Sequence, residues 1–298
     1  MTKAKCDNHK SDPGFLHFAG FRYWTASLLP ALLGSTLPFW LRPPGFSFKW
    51  LGAIEFLIAT VLIHTGFSFL LAWFEDRATN KWTKLRLLVY AIMSIVLACM
   101  IGLHINSGLH LNKFVYENIF IVFGISVIFV GVLYVVLNFN FCGEIIIAYG
   151  FGLLPVLGAY IIQTGDITRT VYVASIPLVI ATGLWVWIEK LISREDDEKK
   201  GQKTMIMLFD RRFSGRYIVL ALSILLFVTI LLAVLSASLT PYALIALLLI
   251  GLGWKIVVIS WNEYSNSKQM LEVRKKAFIL HLITCIIIVT TPLTALFM

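Results

Sequence analysis

The sequence predicts an all-α, polytopic membrane protein with nine transmembrane helices and a cytosolic N-terminus. Three observations lead there. Of 298 residues, 59% are hydrophobic and only 14% are charged, whereas soluble domains carry about a quarter charged residues. The apolar residues fall in long runs free of Asp, Glu, Lys and Arg, a pattern of spans rather than of one large core. The basic residues gather in alternate connections between those runs. An aromatic content of 14% excludes a disordered chain. The net charge of +9 would suggest nucleic acid in a soluble protein. Here it reads as cytoplasmic loops rich in Lys and Arg, so membrane lipid and no nucleic acid is the expected partner.

The charge-free runs locate the helices in order. They are Tyr23–Leu41, Phe56–Phe74, Leu87–Asn112, Asn118–Gly143, Ile145–Gly165, Thr170–Ile188, Tyr217–Trp254 and Ala277–Met298. A helix crosses the hydrocarbon in roughly 20 residues, so Tyr217–Trp254 is too long for one span. Ser236–Pro241 (SASLTP) is a turn signal in its middle, and the run divides into helices 7 and 8. With the N-terminus inside, twenty Lys and Arg lie on the cytosolic side and four (Arg42, Lys49, Lys113, Arg169) on the other. Lys255 lies inside helix 8, within snorkelling reach of its cytosolic end. The chain reads as one transmembrane domain, 1–298. It has a polar cytosolic tail at 1–20 and cytosolic polar loops at 75–86 and 189–216. Cys6, Cys99, Cys142 and Cys285 are far apart and form neither a zinc nor a disulfide pattern.

The acidic residues number only 16, so their placement is informative. Glu75 and Asp76 end helix 2. Glu195, Asp196, Asp197 and Glu198 follow helix 6, with Glu189 in its last turns. Both groups are predicted on one membrane face. Asp76 and Asn80 are spaced by four, as are Glu189, Ser193 and Asp197, so each set forms a stripe on a continuing helix. Two facing oxygen-bearing stripes suit Mg²⁺, which takes one or two carboxylates together with substrate phosphates. Interleaved Arg77, Lys81, Lys84, Arg194, Lys199, Lys200 and Lys203 suit a diphosphate. The plainer reading of the same residues is a solvated, mixed-charge loop.

Several stretches resemble the UbiA superfamily of intramembrane prenyltransferases, and most nearly its 1,4-dihydroxy-2-naphthoate (menaquinone) branch. Phe21–Gly34 (FRYWTASLLPALLG) is similar to the family's first helix. Gly143–Gly165 (GEIIIAYGFGLLPVLGAYIIQTG) resembles its Gly-Glu-rich fifth helix ending in Gln-Thr-Gly. Ser175–Gly183 with Asp197–Arg212 (DEKKGQKTMIMLFDRR) resembles helix 6 and the loop after it. The resemblance covers roughly Phe21 to Arg216. Two motifs depart from the pattern. Where the family has Asn-Asp-x-x-Asp-x-x-x-Asp, this chain has Ala72-Trp73-x-x-Asp76-x-x-x-Asn80. Where the family has Asp-x-x-x-Asp, it has Ser193-x-x-x-Asp197.

The resemblance implies a UbiA-like helical bundle that transfers a polyprenyl group from an allylic diphosphate to an aromatic or quinone-precursor acceptor. Mg²⁺ would neutralise the leaving diphosphate, and a dry interhelical cavity would protect the cation. Asp76 and Asp197 are the implied catalytic residues. Asp76, Asn80, Glu189 and Asp197 are the implied metal ligands, with Glu75 in reserve. Arg77, Lys81 and Lys203 would contact diphosphate. Arg22, Trp73, Tyr149 and Tyr160 would contact substrate, although Arg22 serves equally as a positive-inside anchor. Trp24, Phe74 and Trp185 are further aromatic candidates for facing the cation. His64, inside helix 2, reads as a functional residue or as an interhelical hydrogen-bonding group. Glu144 fits a helix N-terminus, Gln163 a packing role, and Glu55 the outer interface. Two alternatives stand beside transfer: a UbiA-type terpene cyclase, and a non-catalytic lipid- or quinone-binding subunit of a membrane complex. The bacterial cytoplasmic membrane is the expected location.

Overall fold

A computed structural model describes residues 24–74, 81–108, 116–137, 143–199, 201 and 203–297. Its main elements are helices: α1 (Thr25–Leu41), α2 (Trp50–Phe74), α3 (Lys81–Gly108), α4 (Tyr116–Leu137), α5 (Gly143–Gly152), α6 (Leu154–Thr164), α7 (Arg169–Lys199), α8 (Val219–Leu235), α9 (Ile250–Glu263) and α10 (Ser267–Thr290). Short 3₁₀ and π turns extend α8, α9 and α10. Among the described residues, seven segments are long and apolar enough to cross a membrane: Trp50–Phe74, Lys81–Asn106, Gly143–Thr164, Arg169–Lys199, Arg211–Leu235, Pro241–Glu263 and Lys268–Phe297. Two shorter apolar stretches, Thr25–Leu41 and Ile121–Leu133, accompany them.

The run Ile145–Gly165 is broken between α5 and α6. Pro155 stands in the first turn of α6, and a proline ring clashes with the carbonyl four residues back while offering no N–H. The chain therefore restarts at Leu153, whose own N–H still reaches the Tyr149 carbonyl at 2.9 Å. The 38-residue apolar run does divide at Ser236–Thr240. There the N–H groups of Ser238 and Leu239 both return to the Ala233 carbonyl, at 2.9 and 3.0 Å, and Ala237 takes a left-handed φ of 55°. The Trp40 indole of α1 donates to the Ala237 carbonyl at 3.0 Å, fixing this turn against the bundle. Helix α7 is longer than its apolar run. It continues through Glu189 to Lys199, so the carboxylate-rich stretch after Ile188 starts as helix rather than loop.

The core gathers around α7, which packs on α5, α8 and α10. Val171, Ala174, Leu178 and Ile188 of α7 are all fully buried, beside Leu226 and Ile230 of α8 and Leu280 and Cys285 of α10. Helix α1 lies close against α6. A Cβ on Gly34 would meet the Val156 carbonyl oxygen at 2.1 Å, so only glycine permits that approach. By contrast α3 turns Met93, Val96, Met100 and Leu103 outward, each more than half exposed. This is a lipid-facing surface.

The Gln163-Thr164-Gly165 stretch has a local structural cause. Gly165, at φ 80°, closes α6 by a left-handed cap, and its N–H bonds the Ile161 carbonyl. Thr164 Oγ1 donates to the Tyr160 carbonyl at 2.9 Å. The Gln163 amide is paired both ways with the Lys49 backbone. It accepts from the N–H at 2.9 Å and donates to the carbonyl at 3.2 Å. The Lys49 ammonium also donates to the Ile162 carbonyl at 3.1 Å, and burial pulls its pKa below the usual lysine value. Gln163 thus ties the entrance of α2 to the end of α6.

Candidate functional site

Successive spans alternate in direction, α5 and α6 together forming one, so one end of the bundle collects the end of α2, the start of α3, the start of α5 and the end of α7. Of the residues singled out from the sequence for this end, Arg22, Glu75, Asp76, Arg77, Asn80 and Lys200 lie outside the described residues. The description of this end therefore rests on α5, α7 and the segment that follows α7.

On α7, Ser193 and Asp197 lie one turn apart, and the Ser193 hydroxyl donates to Asp197 Oδ2 at 2.9 Å. Lys190, two turns before Asp197, brings its ammonium to 3.4 Å from the same oxygen. Both side chains are shielded, with 17% of Lys190 and 8% of Asp197 exposed. Glu189 is the neighbour of Lys190 in sequence but serves another face, where it pairs with Arg274 of α10 at 3.6 Å. Asp197 and Glu189 therefore sit at one end of the bundle, each already matched by a protein cation.

Glu144, in the first turn of α5, is buried and lies in electrostatic reach of both Lys190 and Asp197. Its Oε2 accepts the N–H of Met205 at 3.2 Å. Its role is therefore more than helix capping, because it anchors the segment after α7. Oε1 of Glu144 and the Thr204 hydroxyl are buried without a hydrogen-bond partner among the described residues. The segment is held elsewhere by arginines. Arg194 donates to the Phe209 carbonyl at 3.1 Å, Arg211 pairs with Glu195, and Arg216 donates to the Trp261 carbonyl at 2.7 Å. Lys203 is exposed beside this segment, and Lys81 is exposed at the start of α3.

The aromatic candidates disperse. Trp73 lies at this same end, with Phe74 edge-on at 4.9 Å and Lys84 over its ring at 5.6 Å. Tyr149 is 44% exposed on the outside of α5. Tyr160 is 2% exposed and packed in the core of α6. It lies roughly 24 Å along the axis from Glu144 at 1.5 Å per residue, so the structure does not bring it to the carboxylates. Trp185 is buried between α7 and α10, against Phe278 and His281. Glu55, near the start of α2, faces His104 at 3.4 Å.

Beneath the polar end lies a cavity of about 330 Å³ walled by α2, α3, α4 and α5, with Ser27 of α1 and the start of α6. Its lining is overwhelmingly apolar, including Phe56, Ile63, Phe67, Phe123, Ile147 and Phe151. Helix α5 joins the two regions, because Glu144 is followed within one turn by Ile146 and Ile147 on the cavity wall. One polar pair enters this wall: His64 Nδ1 and Ser27 Oγ are 2.8 Å apart and buried. The His64 ring also stacks on Phe151 with centroids 4.5 Å apart. The interhelical hydrogen bond is therefore its observed structural role.

The described residues alone do not make a metal cage. No group of three His, Cys, Asp or Glu among them could hold an ion, and the best-placed carboxylate oxygen is already shared by Ser193 and Lys190. Sequence reasoning assigned neither Lys190 nor the Glu144–Met205 link to the site. The seven-residue spacing of Lys190 and Asp197, two turns of one helix face, was the signal for the first. The second joins α5 to a segment 61 residues away and has no local signal.

The fold recurs in solved structures. One from a study of digeranylgeranylglyceryl phosphate synthase in membranes superposes with a TM-score of 0.65 at 12% identity, covering 94% of this chain and 98% of that one. A UbiA homologue from Aeropyrum pernix K1 gives 0.64 at 18% identity, with 93% and 98% covered. A UbiA homologue from Archaeoglobus fulgidus bound to GPP and Mg²⁺ gives 0.61 at 14% identity, with 91% and 99% covered. No curated protein matches the chain. The UbiA prenyltransferase family description matches residues 27–283, which takes in every helix that walls the cavity and the whole Lys190–Asp197 stripe. With that match added to the bundle and its polar end, the chain belongs to the UbiA prenyltransferase family.

Proposed function

We propose that this protein is an intramembrane prenyltransferase that moves a polyprenyl group from an allylic diphosphate to an aromatic, quinone-precursor acceptor. The observation that carries the reading is the continuity along α5, from the Glu144, Lys190 and Asp197 cluster into an apolar cavity of about 330 Å³. A prenyl diphosphate has the matching polarity, a polyanionic head on a long apolar tail. The cavity wall buries the tail and excludes water from the allylic carbon. The Trp73 face, at the same end, can stabilise positive charge developing there. Lys81, Arg77 and Lys203 supply charge-assisted hydrogen bonds to the departing diphosphate, and Arg22 is a further substrate contact in this reading.

Relatives solved with GPP or DMAPP and Mg²⁺ support the choice of donor and ion. In this chain Mg²⁺ would be held by Asp76 and Asn80, with Glu75 in reserve. When bound it neutralises charge on the leaving diphosphate. Asp197 lies nearest to it on α7, whereas Glu189, the other α7 carboxylate expected as a ligand, is turned to Arg274. The topology we propose has nine spans and a cytosolic N-terminus, placing the polar end at the cytosolic surface, in a bacterial cytoplasmic membrane.

The paired state of Asp197 and Glu189 favours one second reading, a lipid- or quinone-binding subunit of a membrane complex that keeps the fold without the chemistry. The deciding experiment incubates protein in nanodiscs with radiolabelled geranylgeranyl diphosphate, Mg²⁺ and a panel of hydroxynaphthoate and hydroxybenzoate acceptors. A prenylated product that is lost in Asp76→Ala supports transfer. Donor binding with neither prenylated nor cyclised product establishes the subunit reading instead.

A further inference from the structure

We propose that Lys190 supplies a built-in cation where a metal ion would otherwise sit on Asp197, so that the α7 wall grips a diphosphate directly through an ammonium. This rests on the prenyl-donor reading above. The stripe on α7 has an ammonium and a hydroxyl converging on one oxygen, Asp197 Oδ2, at 3.4 and 2.9 Å. That oxygen is thereby balanced in charge and occupied in geometry. A dication placed on that oxygen would stand beside an ammonium in a shielded site, where like charges repel most strongly. The second α7 carboxylate offers no substitute, because Glu189 faces Arg274 on another side of the helix.

The ammonium has capacity left over. A lysine carries three N–H donors, and Asp197 takes one. The other two can serve phosphate oxygens, a role for which lysine is a common choice. Asp197 and Ser193 then act as positioning residues. They hold the ammonium in place and, through burial, keep its side chain from wandering into solvent. Ser193, where the sequence pattern led one to look for an acid, is consistent with this: a second carboxylate would recruit a metal, whereas a hydroxyl only steadies the first. Glu144 lies in electrostatic reach of the same ammonium from the first turn of α5.

The test is binding of geranyl diphosphate to the full-length protein in nanodiscs, with free Mg²⁺ varied widely. The logarithm of the association constant is expected to rise with the logarithm of free Mg²⁺ with a slope of one or less. Lys190→Met should weaken binding at saturating Mg²⁺ by about tenfold or more, and Lys190→Arg should restore most of it. The double variant Lys190→Asn with Ser193→Asp should raise the slope to two. A slope of two in the unaltered protein, or unchanged affinity in a folded Lys190→Met, overturns the lysine assignment alone. If Lys190→Met does not fold, the slope of the unaltered protein decides. Absence of binding at every Mg²⁺ concentration, in protein with an intact thermal transition, overturns the prenyl-donor reading itself.

Discussion

The two sides of this bundle are built differently. In the apolar window of α7, 67% of residues are buried; in that of α3 only 17% are. Around α7 the side chains of five helices close into a continuous core, and α1 and α6 approach to backbone contact at Gly34. On the other side α2 and α3 pack on each other, but α4 stands apart from both enough to leave the cavity. On the reading proposed above, the difference separates two tasks. One side holds polar groups in fixed positions, and the other leaves room for a greasy substrate. In lipid, association of helices depends on close packing rather than on escape from water, so the loosely packed side is where a ligand can replace protein contacts.

This contrast is sharpest at its glycines. Gly34→Val would drive a side chain into the Val156 carbonyl, and we expect loss of the folded protein, read as failure to recover a monodisperse peak after detergent extraction. Gly124, on the cavity wall, has open space where a Cβ would stand. If Gly124→Val proved as damaging as Gly34→Val, the division would be wrong. Next in size is Leu178→Ala in the α7 core, expected to destabilise by about 2–5 kcal/mol and to lower the thermal midpoint. Ile63→Ala on the cavity wall should lose clearly less, because its neighbours already border empty volume.

A smaller effect is expected from Gly124→Leu. It should leave the thermal midpoint nearly unchanged and weaken binding of a long prenyl diphosphate by about tenfold, roughly 1.4 kcal/mol. A short donor should be affected less, and calorimetry with two chain lengths reads the difference. Smallest is His104→Ala. It removes a contact to Glu55 from a side chain 69% exposed, so its effect on the midpoint should correspond to less than about 1 kcal/mol.

Much of the architecture was legible because hydrocarbon imposes length and composition on whatever crosses it. The split at Ser236–Pro241 followed from turn chemistry, and the Ser193–Asp197 contact from a spacing of four, but Glu189, which that spacing put on the same stripe, turns to Arg274. The break at Pro155 was equally written in the sequence, but the run of apolar residues around it masked the interruption. The partners of Asp197 were harder to read. Glu189 and Lys190 are neighbours in sequence, and only the packing of α10 decides that the acid turns to Arg274 while the lysine turns to Asp197. Tyr160 illustrates the opposite error. An aromatic residue in a motif-like stretch suggested a substrate contact, yet its helix carries it into the core, toward the far end of the span. Residue type is visible in the sequence, whereas depth along the span depends on how the helix sits in the bundle.

Helix α7 has 31 residues, a length of roughly 46 Å, against a hydrocarbon thickness of about 30 Å. The excess forms a mast that carries Lys190, Ser193 and Asp197 toward the aqueous boundary while its lower part stays in the bilayer core. For a substrate that breaks into a polyanion and a hydrocarbon, this arrangement sorts the fragments by solubility. On the transfer reading proposed above, the anion would leave on the wet side and the alkylated product sideways into lipid, each clearing the site by partition into its own phase.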